Sequence, residues 1–425
     1  RADRYLIARQ REPRDVYGER LKRVFYENYV GSIVDWYAAT LFRTEPRIAY
    51  GDGGSEFFAS FVEDCDRRGT SLFEFFRRQF VESMIAGTSY ALVDFPRIEG
   101  SVGNRAAEDE LGTSRAYLIG YRADEVTNWA NDETGELEWA VVRTITRKQP
   151  TSQDPSGVIE TVWTYYDKTN YKRFVRMDRG GGGGAIEEVE SGLHGLAGIG
   201  RVPLIRMRLP EGLWLMNRAG SLQLEHFNKS NALSWALTMG LFAMPVVYSE
   251  KPWSQMIGES YYVQLGPNDR FGWTEPEGRV YQIAADNLKT LQEEIYRVCY
   301  LAPAGGPLDH RGAVSGASKQ RDFAITYEVL RAYGDAVKDQ IKRVLRAVEA
   351  ARDDGDYVNV TGLDEFDIAD FSTDLENAKM LLELGVPSES LKKEIFKKLA
   401  LKYVCDARQD IKDRIGSEIE RGLVN

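Results

Sequence analysis

The order of apolar periodicities between residues 217 and 352 constrains this chain more than any other feature. Two apolar helical segments, 217–241 and 286–301, flank an insert, 245–285, that is rich in aromatic residues, Gly and Pro. In the first segment Leu222, Leu224, Phe227, Leu233, Trp235, Leu237 and Leu241 cover more than one face, as suits a helix with neighbours on several sides. Pro245 is expected to end it, and Val246-Val247-Tyr248 reads as a strand entering the insert. Asp286, with Asn287 beside it, reads as the N-cap of the second helix, which carries Leu288, Leu291, Ile295 and Val298 at spacings of three and four. A Pro/Gly loop follows (Ala302-Pro303-Ala304-Gly305-Gly306-Pro307), and Ser315-Gly316-Ala317-Ser318-Lys319 opens a long charged helix to about Arg352. Phe323, Tyr327, Leu330, Val337, Ile341, Val344, Leu345 and Val348 form its apolar stripe, and Gly334 is the expected kink point. Helix, small insert, helix, loop and long helix is a mechanical arrangement, and no catalytic motif sits inside it.

Upstream the signal is first helical and then β. Phe25, Tyr29, Ile33, Tyr37 and Leu41 recur every four residues, which predicts one helix over 15–42, stopped by Pro46. Ser55 and Ser71 are candidate N-caps for helices over 55–66 and 71–86, and Gly87 is the expected C-terminal stop of the latter. Ser89–Asp94 reads as a buried strand, 97–115 as a polar loop, and 116–121, 139–148, 158–167 and 171–178 as strands. Asp132-Glu133-Thr134-Gly135 and Asp167-Lys168-Thr169-Asn170 read as hairpin turns. The glycine run 180–184 lacks a following helix, so it reads as a loop and not as a phosphate cradle. Trp129 and Trp163 are expected in the core. Residues 357–360 read as a strand, and 373–384, 388–402 and 406–421 as helices broken by Pro387.

Composition excludes several classes. With 43% hydrophobic and 28% charged residues, the 425-residue chain is an ordinary globular one with room for two or three domains. A net charge of −10 argues against coating nucleic acid through a basic surface, although not against letting it pass. Cys65, Cys299 and Cys405 are odd in number and far apart, as fits buried reduced thiols. No apolar run reaches the ~20 residues of a membrane-spanning helix. The N-terminus lacks both a signal-peptide core and an initiator Met, so the true start is expected upstream. His194, His226 and His310 are the only histidines, and none has a metal-ligand partner at a useful spacing. No nucleophile elbow, phosphate loop or Cys-x-x-Cys occurs. Adjacent carboxylates such as Glu293-Glu294 and Asp364-Glu365 read as solvated faces. Neither a catalytic nor a metal site is expected.

Four motifs in order resemble one family. They are Ala39-Thr40-Leu41-Phe42-Arg43-Thr44-Glu45-Pro46 ending a helix; Gly69-Thr70-Ser71-Leu72 with Gly87-Thr88-Ser89-Tyr90-Ala91-Leu92-Val93-Asp94-Phe95-Pro96; Tyr121-Arg122-Ala123-Asp124-Glu125-Val126-Thr127-Asn128-Trp129; and Ser315-Gly316-Ala317-Ser318-Lys319. Together they resemble the portal proteins of tailed bacteriophages, over most of the chain. The resemblance implies an α+β subunit: a helical and β-rich wing (1–216), a first stem helix (217–244), a small β-rich clip (245–285) and a second stem helix (286–301). A tunnel loop (302–318), a long kinked wing helix with a strand (319–372) and a C-terminal helical crown (373–425) complete it.

The function it implies is a homo-oligomeric ring, usually of twelve subunits, at one capsid vertex of the virion, assembled in the host cytoplasm. Double-stranded DNA would be packaged and ejected through its channel without sequence recognition. The terminase large subunit, a head–tail adaptor and the major capsid protein would be partners, with no cofactor, metal or membrane. The tunnel-loop residues Gly305, Gly306, Asp309, His310, Arg311 and Lys319 would face the DNA. Their mixed charge among small residues suits a moving loop that does not hold DNA through counterion release. Trp253, Tyr261, Tyr262, Phe271 and Trp273 of the clip would form the partner surface, since a small insert has little core in which to bury them. Two other readings remain open: another connector or capsid scaffold protein, and an enzyme whose site converges from distant residues.

Overall fold

The chain divides into two units, residues 1–364 and 365–425. The computed structural model describes residues 2–49, 56–96, 115–148, 158–179, 182–240, 244–249, 265–274, 278–301, 316–352, 358–364, 371–385, 387–404 and 409–422. Helices and strands are both abundant, and the fold is α+β.

Local signals hold where packing agrees with them. Helix α4, Leu72–Ala86, starts at Ser71, whose Oγ accepts from Glu74 N at 3.2 Å, and stops at Gly87, which has a left-handed φ of 81°. Its buried face, Leu72, Phe75, Phe76, Phe80 and Met84, lies on a three-stranded antiparallel sheet. In that sheet β2 (Thr88–Asp94) is flanked by β3 (Tyr117–Arg122) and β10 (Leu204–Arg208). Helix α3, Glu56–Glu63, packs beside α4.

The single helix expected over 15–42 is two helices, α1 (Arg14–Lys22) and α2 (Tyr29–Leu41). The break has a physical cause in α5, Leu215–Gly240, whose buried stripe includes the polar Gln223, His226, Ser230 and Asn231. Asn231 accepts from Phe25 N at 3.1 Å and donates to Phe25 O at 3.0 Å. Gln223 donates to Glu27 O at 2.8 Å and accepts from Val30 N at 3.4 Å. Asn228 does the same for the chain start, accepting from Ile7 N at 2.8 Å and donating to Tyr5 O at 3.1 Å. Gln223 and Asn231 are only 4% and 7% exposed. A helix running through 24–28 would leave both amides unsatisfied, at about 1–3 kcal/mol each, more than continuing the helical ladder returns.

A second sheet is a meander of β4 (Val126–Asn131), β5 (Leu137–Lys148), β6 (Val158–Tyr166) and β7 (Asn170–Arg179). Strands β8 (Gly182–Gly183) and β9 (Glu187–Leu193) both lie along the far side of β7. Its turns are the forecast ones: Asp132 Oδ1 accepts from Thr134 N at 3.0 Å, and Asp167 Oδ1 from Asn170 N at 2.6 Å. One face packs on the first sheet, where Tyr90, Leu92, Val202 and Leu204 meet Val126, Ala140, Val142, Tyr166 and Tyr171. Trp129, expected in this core, is instead 48% exposed: it lies opposite the core residue Ala140, but β4 is an edge strand with no described strand on its other side. Cys65 and Cys299 are buried free thiols, each pushed up to about 12 by burial.

After α5 come β11 (Met244–Tyr248), β12 (Arg270–Thr274), α6 (Gly278–Val298) and α7 (Gly316–Arg352). Helix α6 starts at Gly278 and not at Asp286. The Asp286 carboxylate accepts from Gln282 Nε2 at 3.0 Å one turn back, and its carbonyl accepts from Thr290 Oγ1 at 3.0 Å, so it is a mid-helix residue. Helix α7 runs unbroken through Gly334, the expected kink point. Leu330, Val337, Ile341, Val344, Leu345 and Val348 are buried along it at about 1.5–3 kcal/mol each, which outweighs the ~1 kcal/mol cost of one interior glycine. What Gly334 supplies is room. A Cβ there would lie 2.0 Å from the carbonyl oxygen of Leu363, just after β13 (Asn359–Thr361), which pairs with β1 (Arg47–Ala49).

The described residues of the second unit form three helices: α8 (Phe371–Glu383), α9 (Glu389–Tyr403, capped by the Ser388 hydroxyl) and α10 (Gln409–Glu420). Lys393 Nζ donates to Glu420 O at 2.9 Å, and Lys397 pairs with the Glu420 carboxylate, tying α9 to the end of α10.

Two substitutions test this account. Gly334→Ala should lower stability by about 1–3 kcal/mol in chemical denaturation, because backbone and not a mobile side chain blocks the new methyl. Asn231→Ala should leave the fold intact but speed hydrogen exchange of the Phe25 amide well above that of the α4 interior, as read by exchange mass spectrometry.

Candidate functional site: the paired helices and their strand cap

Helices α5 and α6 run antiparallel: Tyr281 Oη donates to Ala236 O at 3.4 Å, while Lys229 Nζ donates to Asn287 Oδ1 at 2.9 Å nearer the base. At their far ends β11 and β12 form an antiparallel pair in the register Pro245 opposite Trp273 and Val247 opposite Phe271. Leu224 and Leu237 on α5 and Val280 and Ile283 on α6 are exposed, so the pair carries apolar side chains that nothing described in this chain buries.

The base is tightly held. Tyr333 Oη donates to the Leu213 carbonyl at 2.6 Å, just before α5, and Tyr37 Oη donates to the Cys299 carbonyl at 2.6 Å, just after α6. The two rings meet edge to face at 5.6 Å, with Phe80 at 5.3 Å from Tyr333. Burial pushes both phenols far above their ordinary value, so they remain donors at any working pH. Thr326 Oγ1 donates to Tyr300 O at 2.5 Å, holding the left-handed turn (φ 56°) at the end of α6.

Beside the base lies an open cleft of about 530 Å³ lined by Phe25, Tyr29, His226, Leu233, Leu288 and Gln292 among others. The ring of Tyr29 stands edge-on to His226 at 5.1 Å and to Tyr296 at 6.2 Å. Tyr29 Oη donates to Glu27 Oε2 at 2.8 Å, and burial with that carboxylate pushes the phenol up to about 12. His226 is 3% exposed; burial lowers its pKa, while Glu27, 3.6 Å from Nε2, pulls the other way. His194 is also structural: Leu196 N donates to its Nδ1 at 3.2 Å, and its Nε2 lies 2.9 Å from Asp167 O. Among the described residues no group of three or more His, Cys, Asp or Glu side chains is placed to hold a metal ion. None of the described helices is long and apolar enough to cross a membrane.

Of the predicted site residues, Trp253, Tyr261, Tyr262, Gly305, Gly306, Asp309, His310 and Arg311 lie outside the described residues. Phe271 is half-buried on β12, Trp273 stands on the same strand, and Lys319 lies in the first turn of α7. The structure therefore brings Phe271 and Trp273 to one strand beyond the helix ends. Sequence reading missed Gln223, Asn228 and Asn231. Their signal was three amide side chains within nine residues of one helix, a pattern with no partner visible in sequence.

No protein-family model matches the chain, and no curated protein matches it. Among solved structures it is similar to the neck of an empty GTA particle computed with C6 symmetry, at 14% identity and a TM-score of 0.43, over 84% of this chain and 85% of that chain. It is similar to the virion of a native gene transfer agent particle at 12% identity and a TM-score of 0.39, over 84% of both chains. It is also similar to an HK97-family phage portal protein from Corynebacterium diphtheriae, at 9% identity and a TM-score of 0.35, over 77% of this chain and 90% of that one. Likenesses this loose establish neither family nor function.

Tyr333→Phe should cost about 0.5–1.5 kcal/mol, the worth of one hydrogen bond, because the Leu213 carbonyl keeps its bond from Leu215 N at 2.9 Å. For His226 the folded pKa lies below the unfolded one, so the unfolded chain takes up the proton first as the pH falls. Stability is then lost below about pH 6.5, the unperturbed histidine value. Melting curves on either side of that pH should show a smaller drop for His226→Gln than for the natural chain.

Proposed function

We propose that this chain is the subunit of a portal-type ring, the conduit for double-stranded DNA at one vertex of a phage-like capsid. One observation carries the reading: the element order helix, strand cap, antiparallel helix, connecting segment 302–315 and 37-residue helix, with the base of the helix pair held by Tyr37 and Tyr333. The upstream motifs quoted above give the same reading. Exposed apolar residues on both helices suit a pair with neighbouring copies on either side. A net charge of −10 per subunit suits a channel that must not retain a polyanion by releasing its counterions.

In this reading α5 and α6 are the stem, the segment between them is the clip, 302–315 with Lys319 is the tunnel loop, and 365–425 is the crown. Twelve subunits form the ring, and the terminase large subunit and head–tail adaptor dock on the clip aromatics. The major capsid protein surrounds the ring in the virion, and the ATP-driven work of packaging belongs to a partner. The subunit itself performs no catalysis.

Negative-stain electron microscopy of the purified full chain tests the reading. Rings with a central hole wide enough for a DNA duplex are expected; a monomer or compact dimer at all concentrations would overturn it. Deleting residues 304–312 should leave rings intact and reduce packaging or retention of DNA. Trp253→Ala with Trp273→Ala should weaken terminase or adaptor binding while leaving melting behaviour unchanged.

A further inference from the structure

Strand register divides the β4–β9 sheet into two unlike faces. Ala140, Tyr166 and Tyr171 are cross-strand partners and lie on the core side. Residues one step along point the other way. The outer face therefore carries the row Arg143–Trp163–Phe174 and, beside it, Val141–Tyr165–Lys172. Farther out lie Arg147 and the exposed Ile145 and Ile159. Trp163, Tyr165 and Phe174 are only half-buried. Arg176 already stacks on Trp163 and pairs with Asp178 at 3.1 Å, whereas Arg143, Arg147 and Lys172 outnumber Glu188, which lies opposite Phe174, and give the rest of the face a net cationic character.

The sheet's outer edge is the opposite in charge. Strand β9 pairs with β7, and on its other side no described strand follows. Along Ile186–Leu193 the residues Ile186, Val189 and Leu193 are 59%, 55% and 68% exposed, beside Glu187 and Glu188. Exposed edge strands usually avoid apolar side chains because the free backbone edge templates association. Three large ones in one short edge mark a surface that is covered in the assembled state.

We infer that these two surfaces are the two halves of one contact, the acidic, apolar β9 edge of one copy lying on the cationic, aromatic outer face of the next. The occupant is a second copy because this chain itself supplies the complementary charge and apolar surface. A single sheet cannot fold its own edge onto its own face. Since face and edge differ, the contact is head-to-tail, the type that closes into rings. The inference rests on the ring reading above and deepens it by assigning an interface outside the paired helices. The same aromatic and cationic face could in principle stack single-stranded nucleic acid. The chain's net charge of −10 favours the protein contact.

Charge exchange in the full chain tests it, with assembly read by native mass spectrometry and electron microscopy and folding by melting curves. Glu187→Lys with Glu188→Lys, and separately Arg143→Glu with Arg147→Glu, should each lower the assembled fraction at least tenfold at unchanged melting temperature. Combining all four should restore assembly. Single-patch variants that assemble like the natural chain would overturn this contact and leave the ring reading standing. Loss in both without rescue in the combination would overturn the pairing of these two patches. A natural chain that never assembles would sink the ring reading itself and this contact with it. An Arg143→Glu, Arg147→Glu variant that assembles normally but no longer binds a fluorescent single-stranded oligonucleotide would assign the face to nucleic acid instead.

Discussion

Two buried phenol-to-carbonyl hydrogen bonds carry the architecture. Tyr37 reaches the Cys299 carbonyl and Tyr333 the Leu213 carbonyl, each at 2.6 Å, from rings that touch edge to face. The Cys299 carbonyl lies just past the exit of α6, where a helix end leaves carbonyls without internal partners, and the Leu213 carbonyl, which also accepts from Leu215 N at 2.9 Å, lies just before α5. In a dry core such groups need donors, and a tyrosine supplies one while its ring fills core volume. The helix pair is thereby fixed at one end to α2 and α7 and capped at the other by two short strands.

The same logic, polar side chains serving another segment's backbone, explains the N-terminal region. Gln223, Asn228 and Asn231 face the core side of α5 although they are amides, because each grips the main chain of residues 5–30 through two hydrogen bonds. The buried Glu12–Arg20 pair closes the turn before α1. Burial alone would raise the Glu12 carboxyl; the Arg20 guanidinium and the Arg9 backbone N–H outweigh it and hold the group below its usual range. A segment that looks continuously helical by period is thus bent into a strap along the base of the helix pair.

Much of the fold was legible because local chemistry and packing agreed. Ser71 and Gly87 bound α4 as capping residues should, Asp132 and Asp167 build the turns their sequences announce, and the Leu330–Val348 stripe is buried along α7. The misreadings come from contacts that a local pattern does not display. Asp286 looks like a cap but bonds within its own helix. Gly334 also makes room for the Leu363 carbonyl, which no local pattern shows. Trp129 has strand composition around it but falls on an edge strand. Of the candidate site, sequence marked Phe271 and Trp273 for the cap, whereas the cleft at His226 and the strap clamps emerged only from the fold.

Sequence by itself determined the order of elements between 217 and 352, the α+β class, the acidic balance and the lack of any recognisable catalytic motif. Those properties live in periodicity, composition and short-range capping, which a single chain displays without knowing its contacts. Only the tertiary structure decided that residues 24–28 are not helical, that α6 begins at Gly278, and that the β4–β9 sheet has one core face and one cationic, aromatic face. Each depends on which donor meets which acceptor, or which strand lies beside which. Such pairings over hundreds of residues, as between Phe25 and Asn231, leave no periodic trace in the sequence.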